Sequence, residues 1–427
     1  MFIRTITIFS AVVAALVACG GGAGGVSSVA SRGELAGATA RGQVSLAGVR
    51  TLLDAVNARA SMPLLSSAPL YPVDFYRLTY KTLDSAGNLT SASGLLLVPA
   101  KPPTSTSPML SWQHGTMSLE SSAPSYADGT LAGTSSEAQG GFVVASLGYI
   151  VVMPDYLGYG AAKDIFHPYL QARTLASTSV DMVRASRMFL SRNNIAVNGQ
   201  LFLAGYSEGG YATLATQREM ETSFPAEFAL TASAPGAGPY DLTNSAALVL
   251  GSANLAGVTH AGSLAFLLKA YDVYYNNPSR LALYFTAGMV LDCVNRDFTT
   301  APTYGTDSVF GSFESCIGGT TVTTDILNPS FINSFNTGGE IILKAALAEN
   351  DIYDWAPRSR TRLFYSTGDD VVPPLNTVNA YDAMVAKGAA QVQTVPCAGV
   401  LPATHWNCSA PYVIDVLDYF GTLAMDL

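Results

Sequence analysis

Residues 205–209 read Gly-Tyr-Ser-Glu-Gly, a G-x-S-x-G pattern set between an apolar run at 200–204 and a helix-compatible stretch at 211–221. Strand, sharp turn and helix together form the setting in which this pentapeptide presents a serine at the top of a sheet. The turn asks for positive φ at Ser207, with the hydroxyl projecting outward. It also crowds the neighbouring backbone, so the residues two before and two after must be small. Gly205 and Gly209 meet that demand. An ordinary glycine-rich β–α turn has the same composition. What separates the two readings is whether the rest of the chain supplies partners for the hydroxyl.

A serine hydroxyl is a weak nucleophile at neutral pH and needs a base, and the base needs an orienting acid. The chain has 4 histidines: His114, His167, His260 and His405. Where the nucleophile sits on such an elbow, the chain order is serine, acid, histidine. Only His260 and His405 follow Ser207. His260 falls in a region that breaks the core pattern, whereas His405 lies in a loop between the last expected strand and the closing helix. The acid is expected at the end of the preceding strand, where residues 363–373 read Leu-Phe-Tyr-Ser-Thr-Gly-Asp-Asp-Val-Val-Pro. Adjacent carboxylates diverge, so one can face the imidazole. Asp369 is favoured over Asp370, and the bland alternative is that both cap the following turn.

A tetrahedral oxyanion needs two preorganised N–H donors. Glu208, next after the nucleophile, offers one through its backbone. The other is expected from His114-Gly115-Thr116 after the third strand, with the Thr116 N–H preferred. The Glu208 carboxylate is expected to be solvated or to pair with a loop.

The remaining pattern is that of an α/β chain. A hairpin is expected from 76–83 and 88–99 around the turn at 85–88, with further strands at 108–113, 149–153, 200–204, 228–234, 362–366 and 391–396. Helices are expected at 46–60, 172–192, 376–387 and 412–423, and Asn198-Gly199 reads as a turn into the serine strand. The fold class is therefore α/β, a mostly parallel sheet with helices on both faces. Residues 240–357 interrupt this rhythm with Leu/Ala-rich helical stretches at 264–274, 278–289 and 339–348. They read as an inserted helical cap, since so long a connection needs its own structure. The core is then 71–239 and 358–427.

Net charge is −9, and only 12% of the residues are charged. No basic run exists to meet a phosphate backbone, so nucleic acid is not an expected partner. Arg4 and the apolar run 6–17 form a signal peptide over 1–18, too short to span a bilayer. The following Leu-Val-Ala-Cys at 16–19 resembles the lipobox of bacterial lipoproteins, which implies lipidation of Cys19. Residues 19–70 then form an anchor and flexible linker. Gly20 after the cysteine favours the outer membrane, and a secreted or periplasmic protein is the alternative. Four cysteines remain, with three possible connectivities. The local pairs Cys293–Cys316 and Cys397–Cys408 are favoured. No Cys-x-x-Cys pair exists, and no metal or cofactor is expected.

The motifs together make the chain similar to serine hydrolases of the α/β-hydrolase superfamily, and within it to the secretory, lipase A-like lipases. The carriers are Gly-Tyr-Ser-Glu-Gly-Gly at 205–210, the His114-Gly115 turn, Pro-Asp-Tyr-Leu-Gly-Tyr-Gly at 154–160, His-Pro-Tyr-Leu at 167–170, and Gly-Asp-Asp-Val-Val-Pro at 368–373. The resemblance implies hydrolysis of a small-molecule ester or lipid under a helical lid, with Asp369 as the acid four residues before Pro373. The lipase A branch has an Asp in its oxyanion loop, which His114-Gly115-Thr116 does not match. Two other readings stand beside this one: a prolyl-oligopeptidase-like peptidase, for which no propeller fits before residue 76, and a surface binding protein on a hydrolase scaffold.

Overall fold

The computed structural model describes residues 31–60, 70–117, 119–276, 278–298 and 309–427. Cys19, the signal segment and the linker at 61–69 lie outside the described residues.

Among the described residues, nine strands form one sheet: β1 (Leu35–Val44), β2 (Val73–Leu83), β3 (Leu89–Pro99), β4 (Ser107–Gln113), β5 (Ile150–Pro154), β6 (Val197–Tyr206), β7 (Ala232–Gly236), β8 (Arg360–Tyr365) and β9 (Val392–Pro396). Their spatial order is β1-β2-β3-β5-β4-β6-β7-β8-β9. The pairs from β1 to β3, and β3 with β5, are antiparallel; from β5 through β4 to β9 all pairs are parallel.

Both faces of the central strands are apolar because both are covered. Val151, Met153, Phe202 and Ala204 pack on one side with Phe142, Tyr412 and Val416. Ile150, Val152, Leu201 and Leu203 pack on the other with Val180, Val183 and Met220. The first side carries α1 (Leu46–Ala60), α2 (Ser136–Ser146) and, late in the chain, a closing helix. The second carries α3 (Ala172–Arg192) and α4 (Glu208–Ser223). Among the described residues, the β7–β8 connection holds eight helices: α5 (Leu242–Gly251), α6 (Ala261–Tyr275), α7 (Leu281–Tyr284), α8 (Met289–Asp297), α9 (Val309–Cys316), α10 (Thr323–Ile326), α11 (Pro329–Asn336) and α12 (Ile341–Glu349). After β8 come α13 (Leu375–Ala386) and the closing helix α14 (Ser409–Gly421). Both local disulfides are present. Cys293–Cys316 joins α8 to α9, and Cys397–Cys408 joins the end of β9 to the start of α14.

Several expectations need correction. Residues 35–44 are not linker: Leu35–Val44 is an edge strand on β2, followed at once by the helix expected at 46–60, α1. Its sequence, Leu-Ala-Gly-Ala-Thr-Ala-Arg-Gly-Gln-Val, lacks apolar alternation because most of it is exposed. Backbone pairing holds it, with irregularities between Leu35 and Gly37 and between Ala40 and Gly42, a common way to blunt an edge. Asn198-Gly199 is not a turn but lies inside β6, with Gly199 at φ 86°. The strand expected at 228–234 is β7 at Ala232–Gly236, because pairing with β6 begins at Ala232. The helix expected at 278–289 shrinks to the single turn α7. Helix α2 carries no clear periodicity in its Ser-Glu-Ala-Gln-Gly-Gly start, and tertiary burial of Phe142, Val143 and Val144 stabilises it instead.

Candidate active site

Ser207 stands between β6 and α4 with φ 61° and ψ −125°. That conformation costs a non-glycine residue of order 1–3 kcal/mol and needs rigid surroundings. The surroundings are tight. A Cβ at Gly205 would collide with the carbonyl oxygens of Gln113 and Gly209, and one at Gly209 with the carbonyls of Gln113 and His114. The Ser207 N–H donates to the Gly236 carbonyl at 2.9 Å. Tyr412 of α14 pins the turn from below: its hydroxyl accepts from the Gly205 N–H at 2.7 Å and donates to the Ala234 carbonyl at 2.6 Å. Burial pushes the Tyr412 phenol well above its ordinary pKa, so it keeps the proton it donates.

The structure brings Ser207, His405 and Asp369 together. His405 Nε2 lies 2.9 Å from Ser207 Oγ, and its Nδ1 lies 2.8 Å from Asp369 Oδ2. The His405 side chain is fully buried, and that of Asp369 is 1% exposed. The other Asp369 oxygen accepts the N–H groups of Val371 and Val372, at 3.0 and 2.8 Å. The loop carrying His405 is held at several points. Asp370 Oδ1 accepts the His405 N–H at 3.1 Å, and the Tyr206 hydroxyl donates to the His405 carbonyl at 2.8 Å. Gly368 N–H donates to the Ala403 carbonyl at 3.0 Å. Burial, with the nearby Asp369 charge adding, keeps the Tyr206 phenol protonated.

Glu208 opens α4, so its N–H has no carbonyl one helical turn back. The Thr116 N–H meets no acceptor among the described residues. Both residues line one cavity with Ser207. The loop bearing Thr116 is braced by Glu137 of α2, whose Oε1 accepts the Gly115 N–H at 3.1 Å. Of the two expectations for the Glu208 side chain, solvation fails and loop pairing holds: it is 2% exposed and meets Nε2 of His167, in the loop before α3, at 2.7 Å. Glu137, His167, Tyr206 and Tyr412 were not singled out from the sequence as parts of the site. Tyr206 and His167 lay in quoted motifs, and nothing in the local sequence of His167 reveals a partner 41 residues away.

The cavity, about 380 Å³, opens above Ser207. Its core side includes Thr116, Tyr169, Ser207, Glu208 and Trp406, and its far side is apolar: Leu242, Val249 and Leu250 of α5, Leu264 and Leu268 of α6, Leu343 and Leu347 of α12. His260, the other histidine after Ser207, caps α6 and faces Glu314 at 3.2 Å. Asp155, at the end of β5, is a buried brace that accepts from Ser93 Oγ at 2.5 Å and Ser125 N–H at 2.8 Å. Among the described residues no cluster of His, Cys, Asp and Glu is arranged to hold a metal.

Comparison with known proteins agrees with this architecture. The family model for secretory lipases matches residues 130–284. The crystal structure of the rice cell wall degrading esterase LipA from Xanthomonas oryzae superposes with a TM-score of 0.75 at 25% identity, covering 92% of this chain and 99% of that one. A hydrolase of Legionella pneumophila, described as putative, gives 0.75 at 25% identity, covering 91% and 98%. Candida antarctica lipase A shares the fold, with a TM-score of 0.58 at 14% identity over 88% of this chain and 78% of that one. No curated protein matches the chain. With a mostly parallel sheet, an elbow serine and these relatives, the chain is an α/β-hydrolase similar to the secretory lipases, an ester-hydrolysing enzyme.

Proposed function

We propose that the protein hydrolyses carboxylic esters through an acyl-enzyme on Ser207. The observation that carries this reading is the Ser207–His405–Asp369 chain of hydrogen bonds, 2.9 and 2.8 Å long. His405 takes the hydroxyl proton as Ser207 Oγ attacks the ester carbonyl, and Asp369 holds the imidazole in the right tautomer and stabilises its charge. The carbonyl oxygen becomes an oxyanion facing the N–H groups of Glu208 and Thr116. His405 returns the proton to the alkoxide leaving group. It then activates water, whose attack frees the acid and restores Ser207.

Residues 240–357 serve as the cap. The apolar side of the cavity, contributed by α5, α6 and α12, suits the acyl chain, and apolar surface there favours a hydrocarbon by about 25 cal/mol per Å² removed from water. The likeness to the secretory lipases and the signal-like N-terminus support export. On this reading residues 1–18 are removed, and lipidation of Cys19 tethers the domain to the bacterial outer membrane, facing ester or lipid substrates there. Among the described residues no helix is long and apolar enough to cross a membrane.

Ser207→Ala should abolish turnover of p-nitrophenyl esters, a loss of about 10⁶-fold in kcat, with the thermal midpoint little changed. A fluorophosphonate probe should label the wild-type serine and not the variant. Turnover retained by the folded variant would overturn the reading.

A further inference from the structure

The side chains of the buried His167–Glu208 pair take no direct part in the proposed chemistry, yet they sit between the elements that carry the two oxyanion donors. His167 is 5% exposed and Glu208 2% exposed. His167 Nδ1 faces the Leu157 carbonyl at 2.6 Å and so must carry a hydrogen. Its Nε2 faces Glu208 Oε1 at 2.7 Å, a contact that also needs a proton between the two atoms. The second Glu208 oxygen is buried with no donor among the described residues. His167 is therefore the group that fixes this carboxylate, and through it the first peptide of α4.

On its other sides His167 is caged by three tyrosines. The ring centroids of Tyr156, Tyr159 and Tyr169 lie 6.1, 4.9 and 6.1 Å from that of His167. Each of the three hydroxyls ends on the opposite wall of the site. Tyr156 donates to the His114 carbonyl at 3.1 Å, Tyr159 donates to the Met117 carbonyl at 2.6 Å, and the Tyr169 hydroxyl meets Thr116 Oγ1 at 3.2 Å. Burial holds all three phenols well above their ordinary pKa, so they remain protonated. Phe266 of α6 closes the cage at 5.9 Å.

We propose that His167 is a positioning residue for the oxyanion hole, setting the Glu208 N–H through the Glu208 carboxylate and the Thr116 N–H through the tyrosine cage. The inference rests on the acyl-enzyme reading above. The two donors come from segments 92 residues apart in the chain, and a hole of this kind works only when both point at one place before the substrate arrives. A single buried imidazole between them fixes both to a common frame.

The test uses the full chain and compares His167→Ala, Glu208→Leu, Glu208→Gln and Tyr159→Phe. Glutamine keeps a hydrogen bond to a neutral His167 through its amide N–H, whereas leucine fills the space without one. Expected for His167→Ala and Glu208→Leu is a fall in kcat of about 10²-fold, the lower end of the cost of one lost donor, with KM unchanged. Binding of a phenylboronic acid, which forms a tetrahedral adduct on Ser207, should weaken in parallel. Glu208→Gln should recover most of the loss. Tyr159→Phe, which removes one hydroxyl and keeps the ring, should lower kcat by about tenfold without raising KM. It serves where the larger changes prevent folding. Wild-type kcat in folded Glu208→Leu or Tyr159→Phe, or lowered thermal stability with kcat and boronate affinity intact, would show that the pair only stabilises the fold. Ser207→Ala in the same assay separates the two failures: if that variant still turns over ester, the acyl-enzyme reading fails; if it is inactive while the His167 and Glu208 variants are normal, the positioning role alone fails.

Discussion

Asp369 and Asp370 are neighbours in the chain and hold opposite ends of the same residue: Asp369 Oδ2 meets the His405 ring at 2.8 Å, while Asp370 Oδ1 accepts the His405 backbone N–H at 3.1 Å. One carboxylate orients the imidazole and the other orients the loop that carries it. The pairing gives the two residues separable effects. Asp369→Asn should reduce kcat on p-nitrophenyl butyrate by about 10⁴-fold, because the imidazole then adopts the wrong tautomer. Asp370→Ala removes one acceptor from the loop and should reduce kcat by about tenfold. Steady-state kinetics on both variants checks the assignment. Equal losses would mean that the roles are not divided this way.

The loop between β9 and α14 carries His405 and is closed by Cys397–Cys408, 11 residues apart in sequence. Replacing both cysteines by serine should lower stability by about 3 kcal/mol, from the greater freedom of the unfolded chain. Urea unfolding measures that difference. A fall in kcat below the transition is expected as well, since the histidine loses part of its frame. An unchanged kcat would show that Asp370 and Tyr206 suffice to hold it.

Tyr412→Phe should leave the Gly205 N–H and the Ala234 carbonyl buried without their shared partner. The expected cost is about 1–3 kcal/mol for each buried group left unsatisfied, read as a lower urea midpoint. Because Gly205 leads directly into Ser207, labelling by a fluorophosphonate should slow even where the protein is folded.

The cavity wall makes a prediction about acyl length. Val249 of α5 lines the cavity and is 6% exposed. Val249→Trp should fill that part of the cavity, lowering kcat/KM for palmitoyl esters by about tenfold or more relative to acetyl esters. A panel of p-nitrophenyl esters from acetyl to palmitoyl reads this directly. A uniform loss across the panel would place the acyl chain elsewhere.

Much of this arrangement is legible along the chain, and the reason is local. Gly205 and Gly209 are glycines because carbonyls of β4 and its following turn approach within contact distance, and that demand is written into a pentapeptide. The covered strands declare themselves as short apolar runs, and the order serine, acid, histidine narrows four histidines to His405. By itself the sequence determined the elbow, the alternation of strands and helices and the insertion before the acid strand, and it favoured the local pairs among three disulfide connectivities, which the structure then showed. Tertiary structure decided the rest. Leu35–Val44 became a strand through backbone pairing with β2, which needs no apolar alternation. It separated Asp369 from Asp370 by direction, and it buried the Glu208 carboxylate against His167. These contacts join polar groups distant in sequence, and a polar group shows no periodicity that names its partner. Their geometry exists only once the sheet, α4 and the 154–170 segment have packed, because burial then leaves each of those groups a small set of atoms it can reach.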